Sequence, residues 1–279
     1  MVFKPEHINA CPEDFEGNDG IGRYILLPGS DGRAKKMSEK FKNVSVKEHS
    51  RLHNLYKGTI DYEGKEIDIA VISTGIGTPS LDIIVTELIR LGAKRFLRVG
   101  TCGPLQEYMK IGDFTVATGA VKDDGATNFY MPLEIPALAS LDMVLASEKA
   151  AGKLGFSKRT FYGILHSKGS LYGREFFHEV PLRNANADYM RILTESGVES
   201  SEMEASMLFT LVAIQNAQKK HNSFRDVDAM KAGAVCVAVT EGDKFAGKET
   251  MSRISDELID YSIGTIGELA IEEFKMMKG

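Results

Sequence analysis

The sequence predicts an α/β protein with a mixed central β-sheet, mostly parallel, flanked by helices. Short apolar, β-branched runs alternate with longer helix-period segments from one end to the other. Several of those runs are continuously apolar, as strands buried on both faces are. No Pro/Ser-rich linker, repeat or low-complexity tract interrupts the alternation, so residues 1–279 are expected to form a single domain.

In chain order, residues 1–22 are polar and glycine-containing and read as an N-terminal arm rather than a core element. A strand is expected over Tyr24–Leu27, then a helix over Asp31–Phe41 and a strand over Ile67–Ser73. The helix Ser80–Leu91 has Pro79 and Ser80 as a start signal, followed by Ile83, Ile84, Glu87, Leu88 and Leu91 at spacings of three and four. Strands Arg95–Val99 and Phe114–Val121, helix Leu138–Leu154 and strand Thr160–Leu165 continue the alternation. Gly173–Ser201 shows no clear period and carries clustered charge, which in a compact domain marks a lid or binding loop. Helix Met203–Lys219, strand Ala234–Val239 and helix Ser252–Met277 complete the chain.

Composition narrows the function. Hydrophobic residues make up 43% and charged residues 26%, enough for a sizeable core. A formal net charge of -5 argues against a general nucleic-acid binder, although a few local arginines can still hold a small anion. Three cysteines, Cys11, Cys102 and Cys236, cannot form a disulfide scaffold, and no stretch has the character of a leader or a membrane span. A cytoplasmic protein with no membrane partner is expected.

Chemistry concentrates at the ends of the predicted strands. Pro28-Gly29-Ser30-Asp31-Gly32-Arg33 combines glycines that let backbone amides approach a ligand with a nearby arginine, which suits an anion at a helix start or an ordinary strand-to-helix turn. Ser73-Thr74-Gly75-Ile76-Gly77-Thr78-Pro79-Ser80 is a second such turn and lacks the third glycine of a dinucleotide fingerprint. Arg98 lies inside an apolar strand beside Phe96, Leu97 and Val99; a buried guanidinium needs a carboxylate or a bound anion. In Ser201-Glu202-Met203-Glu204-Ala205-Ser206 the two acids are spaced i, i+2 and point to different faces, so one can cap the helix while the other faces a pocket. Glu241 and Asp243 lie just past the last strand, where ligands collect in open α/β sheets. The six histidines form no metal constellation: His49 and His53 are i, i+4 but have no carboxylate partner motif. No metal is predicted.

Taken in order, these segments resemble the nucleoside phosphorylase family of the uridine phosphorylase and hexameric purine nucleoside phosphorylase type. The series is Ser73-Thr74-Gly75-Ile76-Gly77, Phe96-Leu97-Arg98-Val99-Gly100-Thr101-Cys102-Gly103, Ile111-Gly112-Asp113, Asp124-Gly125-Ala126 and Pro132-Leu133-Glu134-Ile135-Pro136-Ala137, the last like the uridine phosphorylase branch. The resemblance implies a three-layer fold and phosphorolysis, in which a nucleoside and inorganic phosphate give free base and ribose 1-phosphate, without a cofactor. Uridine or a related pyrimidine nucleoside is favoured, with a purine nucleoside phosphorylase, a nucleosidase or a non-catalytic nucleoside-binding homologue as alternatives.

By the same resemblance, Gly29, Arg33, Arg98 and Thr101 hold phosphate, with Arg51 joining from a neighbouring subunit. His7, Thr101, Glu202, Met203 and Glu204 bind ribose, His7 across a subunit interface. Cys102, Gly103, Leu171, Tyr172, Arg174 and Glu179 line the base. Arg98, Glu204 and Glu241 carry the chemistry, Glu241 as a general acid for a purine. A homo-oligomer of isologous dimers, usually a hexamer, is expected, and Arg98→Ala should cut phosphorolysis at least about a hundredfold with the fold intact.

Three departures stand out. Uridine phosphorylases read uracil with a glutamine and an arginine after a Phe-Tyr pair; here Arg174 takes the glutamine's place and Glu179, or Phe176 under a shorter alignment, the arginine's. Ser30-Asp31 replaces the usual Asp-Pro. Leu52 stands where some members have a potassium-binding glutamate, so that ion is not expected.

Overall fold

The computed structural model describes residues 3–176, 179–222, 224–242 and 244–278. In chain order the elements are β1 (Tyr24–Pro28), α1 (Asp31–Ser38), β2 (Lys42–Lys47), β3 (Leu55–Tyr62), β4 (Lys65–Ile72), α2 (Thr78–Arg90), β5 (Arg95–Pro104), β6 (Phe114–Asp123), β7 (Ala137–Leu138) and α3 (Leu141–Leu154). They continue with β8 (Thr160–Lys168), α4 (Leu171–Arg174), α5 (Arg183–Glu195), β9 (Ser200–Glu202), α6 (Ala205–Lys219), β10 (Lys231–Ala238), β11 (Thr240–Glu241), β12 (Lys244–Phe245) and α7 (Lys248–Met276).

The ten strands β1 to β10 make one mixed sheet, and it closes on itself. The strand β5 pairs in parallel with β1 and β10, β10 runs antiparallel to β6, β6 is parallel to β8, β8 is parallel to β9, and β9 returns antiparallel to β5. From this ring the sheet extends through β1, β4 and β3 to the edge strand β2. The alternation of side chains builds two cores. On β1, Ile25 and Leu27 join the cluster packed by α2 and α6, while Tyr24 and Leu26 join the one packed by α1, α3 and α7. This is the three-layer arrangement the resemblance implies.

The elements absent from the sequence reading have physical reasons. The edge strand β2 is polar and mostly exposed, with lysines at both ends that discourage pairing with another chain. In β3, Gly58 breaks the apolar pattern because β2 crosses closely: a Cβ there would lie 2.5 Å from the Lys42 carbonyl oxygen. The segment expected as an irregular loop contains α5, and its clustered charge is a helical ladder in which Arg191 contacts Asp188 at 3.7 Å and Glu195 at 2.9 Å. Residues 3–22, expected within an N-terminal arm, contribute to the core instead. Ile8, Phe15 and Ile21 are buried, and the buried Asp14 is clamped by Lys47 at 2.6 Å and by Lys57.

Candidate active site

The C-terminal ends of β1, β5 and β8, the turn before α2 and the β9–α6 junction surround a cleft of about 570 Å³. That size suits a small-molecule ligand.

One end of the cleft is built for an anion. Ser30 caps α1 by accepting from the Arg33 amide at 3.4 Å, and Asp31 accepts from Asn54 at 3.1 Å and Tyr56 at 3.2 Å. Ser30-Asp31 therefore anchors the loop that carries Gly29 and Arg33 into the cleft. Arg33 donates to the Val99 carbonyl at 3.3 Å; burial and the positive charge of Arg98 both disfavour its charged form. Arg98 is buried, with Nε 2.6 Å from Glu202 Oε2 and Nη2 on Glu204, while Nη1 has no hydrogen-bond partner among the described residues. Burial works against its charge, and Glu204 and Glu202 more than compensate. Gly100 makes room for the guanidinium, since a Cβ there would meet Arg98 Nη2 at 2.9 Å.

On the same strand, Arg95 shows the purely structural alternative. It is fully buried, reaches Glu273 at 2.8 Å, and is not part of the cleft lining. Its Nη1 also has no partner among the described residues, so the distinction rests on position: Arg98 faces the cleft and Arg95 does not.

The two acids after β9 divide the work. Glu202 accepts from the Glu204 amide at 2.8 Å and the Ala205 amide at 3.0 Å, capping α6, and takes a further bond from Ser167. Burial would raise its carboxyl, but Arg98, Ser167 and those amides hold it below the usual range. Glu204 accepts from the Gly77 amide at 2.6 Å, which gives the turn before α2 a purpose in orienting this side chain. Gly75 and Gly77 adopt φ of +75° and +83°, a region that favours glycine. Burial raises the Glu204 carboxyl; Arg98 offsets part of this, and Glu202 adds to it. Met203 and Thr101 line the cleft between these groups.

The other end differs from the sequence reading. Cys102, Gly103 and Leu171 line it. Burial pushes the Cys102 thiol up to about 11, so it stays a protonated wall. Tyr172 is 75% exposed and outside the cleft. Arg174 also points away, donating to Asp123 at 2.7 and 2.9 Å and to Asn186 at 2.7 Å with its guanidinium 4.3 Å from the Tyr189 ring centre. It pins the short α4, and the next residue, Glu175, enters the cleft instead. Glu179 is exposed and does not line it, whereas Phe176 does. Lys168, at the end of β8, is a cleft residue the sequence reading missed; only its place at a strand's C-terminal end signals it. Phe176 and Phe245 stack at 6.0 Å to close the apolar side.

The remaining candidates lie elsewhere. Glu241 is exposed and pairs with Lys110 at 3.2 Å, so the general acid expected there is not brought into the cleft. Asp243 and His178 fall outside the described residues. Arg51 is exposed on the loop before β3, and His53 sits 2.9 Å from the Ser73 carbonyl; neither lines this chain's cleft. His7 is held 2.8 Å from Glu87 on α2, also outside it. Among the described residues no cluster of His, Cys, Asp or Glu has the make-up of a metal site, and no helix is long and apolar enough to cross a membrane.

The model of the phosphorylase superfamily matches residues 23–218, which includes every cleft residue so far described except Phe245. The chain belongs to the phosphorylase superfamily. It is 32% identical to the uridine phosphorylase of Thermococcus kodakarensis, covering 91% of this chain and 84% of that protein. It is 33% identical to the uridine phosphorylase of Treponema pallidum, over 71% and 74% of the two chains. A protein from Halorubrum lacusprofundi named guanosine phosphorylase is 30% identical over 85% and 86%. The uridine phosphorylases it resembles are glycosyltransferases of the pentosyltransferase kind, and the family supports that enzyme class for this chain.

Proposed function

We propose that the chain catalyses phosphorolysis of a nucleoside to free base and ribose 1-phosphate. One observation carries the reading: a single cleft joins two arginines, Arg33 and Arg98, to the buried carboxylate of Glu204. Phosphate held by the guanidiniums, with Gly29 and Thr101 beside it, meets ribose whose diol donates to Glu204 above Met203. A phosphate oxygen then bonds to C1′ as the C1′–N bond breaks, and the electron pair leaves with the base, which takes up a proton. Positive charge grows on the sugar in that step. A fixed phosphate beside C1′ stabilises the charge and is already placed to attack.

Uridine, the nucleoside the sequence favours and for which several relatives are named, is the first substrate to test. A second reading, a purine nucleoside, is supported by the relative named guanosine phosphorylase and by the carboxylate of Glu175 in the cleft. It no longer draws on Glu241. His7 and Arg51 act, on this proposal, in the cleft of a neighbouring subunit of a dimer-based oligomer.

Base release from uridine, thymidine, inosine, adenosine and guanosine, with and without phosphate, tests the reading. Phosphate-dependent release is expected. Release that ignores phosphate would make the chain a nucleosidase, and ribose binding without release would make it a binding homologue; either overturns the proposal.

A further inference from the structure

The pair Lys168 and Glu175 sits in the cleft where the sequence places neither a reader nor a structural need. Lys168 is 3% exposed, and its ammonium lies 3.1 Å from Glu175 Oε1 and 3.0 Å from Ser201 Oγ. Ser201 also meets His166 at 3.0 Å, which in turn meets Asp123 at 2.9 Å, the same carboxylate that holds Arg174. This chain of bonds fixes both members of the pair from behind. In front, the Glu175 carboxylate lies over the end of β5, 3.7 Å from where a Cβ on Gly103 would stand, beside Phe176 and its stacking partner Phe245. Its only recorded polar partner among the described residues is Lys168, through Oε1.

We propose that Lys168 and Glu175 read the base, and that they hold a 2-amino-6-oxopurine nucleoside better than uridine; this deepens, and rests on, the phosphorylase reading. A carboxylate only accepts hydrogen bonds and an ammonium only donates them, through three N–H groups. Those of Lys168 meet Glu175, Ser201 and, at 3.5 Å, the Glu202 carbonyl; with that longest bond exchanged for a base carbonyl, the pair presents one donor next to two acceptor oxygens. Guanine has the complementary edge: a carbonyl for Lys168, then a ring N–H and an amino group for the two oxygens of Glu175. Uracil offers a carbonyl and an N–H but sets a second carbonyl against the carboxylate, which repels it. Hypoxanthine lacks the amino group and falls between. Glutamine at this position would turn its amide nitrogen toward that second carbonyl and suit uracil. The stacked phenylalanines supply the apolar wall for a flat ring. Charge-assisted bonds in a buried site discriminate strongly, because a mismatched base leaves the carboxylate unmatched.

The test measures kcat/KM for guanosine, inosine and uridine at saturating phosphate, and calorimetric binding of guanosine and uridine without phosphate, for the unaltered protein and Glu175→Gln. The expected order is guanosine, inosine, uridine, with guanosine above uridine by at least about tenfold. Glu175→Gln should lower guanosine about a hundredfold, change uridine far less and invert the order. Uridine equal to or above guanosine in the unaltered protein, or an order that Glu175→Gln leaves in place, overturns the assignment. Failure of the phosphorylase reading looks different. If no nucleoside turns over, yet guanosine binds more tightly than uridine and Glu175→Gln abolishes the difference, the base assignment stands and phosphorolysis falls. Equal binding of the two nucleosides without turnover overturns both.

Discussion

Arg98 holds two carboxylates as well as facing the phosphate end of the cleft, and its substitutions separate these tasks. Arg98→Ala strips the guanidinium that ion-pairs with both Glu202 and Glu204, which are buried. Removing one partner of a buried ion pair costs about 3–5 kcal/mol. At about 2–4 °C per kcal/mol for a chain of this size, the melting point should fall by roughly 6–20 °C. The expectation of an intact fold is therefore revised: alanine loses stability and catalysis together. Arg98→Lys is the cleaner probe. It keeps a positive charge near the acids but gives up the planar fork, and with it the unpartnered Nη1. Loss of one preorganised donor costs about 2.7–4 kcal/mol of transition-state stabilisation, or a fall of about 10²–10³ in rate. Initial rates over a phosphate series, with melting points for each variant, resolve the two effects. A lysine variant that melts near the parent and still works within about threefold of its rate would remove Arg98 from the phosphate site.

Other consequences follow from the same contacts. Because the Glu204 carboxyl is raised and the diol needs its ionised form, kcat/KM should fall with decreasing pH through a limb above the ordinary glutamate value of 4.5; a limb at or below it would refute the role. Asp14 has its pKa lowered to about 2 from 3.8, since Lys47 and Lys57 outweigh its burial. Its stabilisation should be complete above pH 3.8 and vanish as pH falls through about 2, so Asp14→Asn should flatten acid unfolding in that window. Gly267→Ala would ordinarily strengthen the middle of α7, yet its Cβ would stand 2.3 Å from the Tyr62 ring, so a loss of about 1–3 kcal/mol in denaturant unfolding is expected. Mixing inactive Arg51→Ala and Glu204→Ala chains should restore part of the activity through hybrid sites, and no recovery would refute sharing between subunits.

Legibility tracked locality. The strands expected from continuous apolar runs over Tyr24–Leu27 and Ala234–Val239 correspond to β1 and β10, which are buried throughout, so sequence and environment agree there. Polar β2 and the charge-paired α5 escaped because their stability comes from neighbours rather than from an apolar period of their own. At the site, Arg98 was legible because a charge inside an apolar strand is locally odd, and Glu204 because two acids spaced i, i+2 at a helix start point to different faces. The base end was not. Whether Arg174 or Glu175 faces the cleft depends on Asp123, fifty-one residues from Arg174, and no local pattern carries that contact.

The closed ring of strands also orders events in time. The loop with Arg33 and the strand with Arg98 leave the ribosome early, but β5 stays open on one side until β10, close to the C-terminal end, pairs along it from Arg95 to Cys102. Pairings so distant in sequence form slowly. The nascent chain therefore carries its anion-binding arginines before it has the wall that buries them, and any break that removes β10 and α7 should abolish the site without touching a residue that contacts phosphate or sugar. For this protein, a finished cleft is a sign that β10 and the strand pair after it have been made.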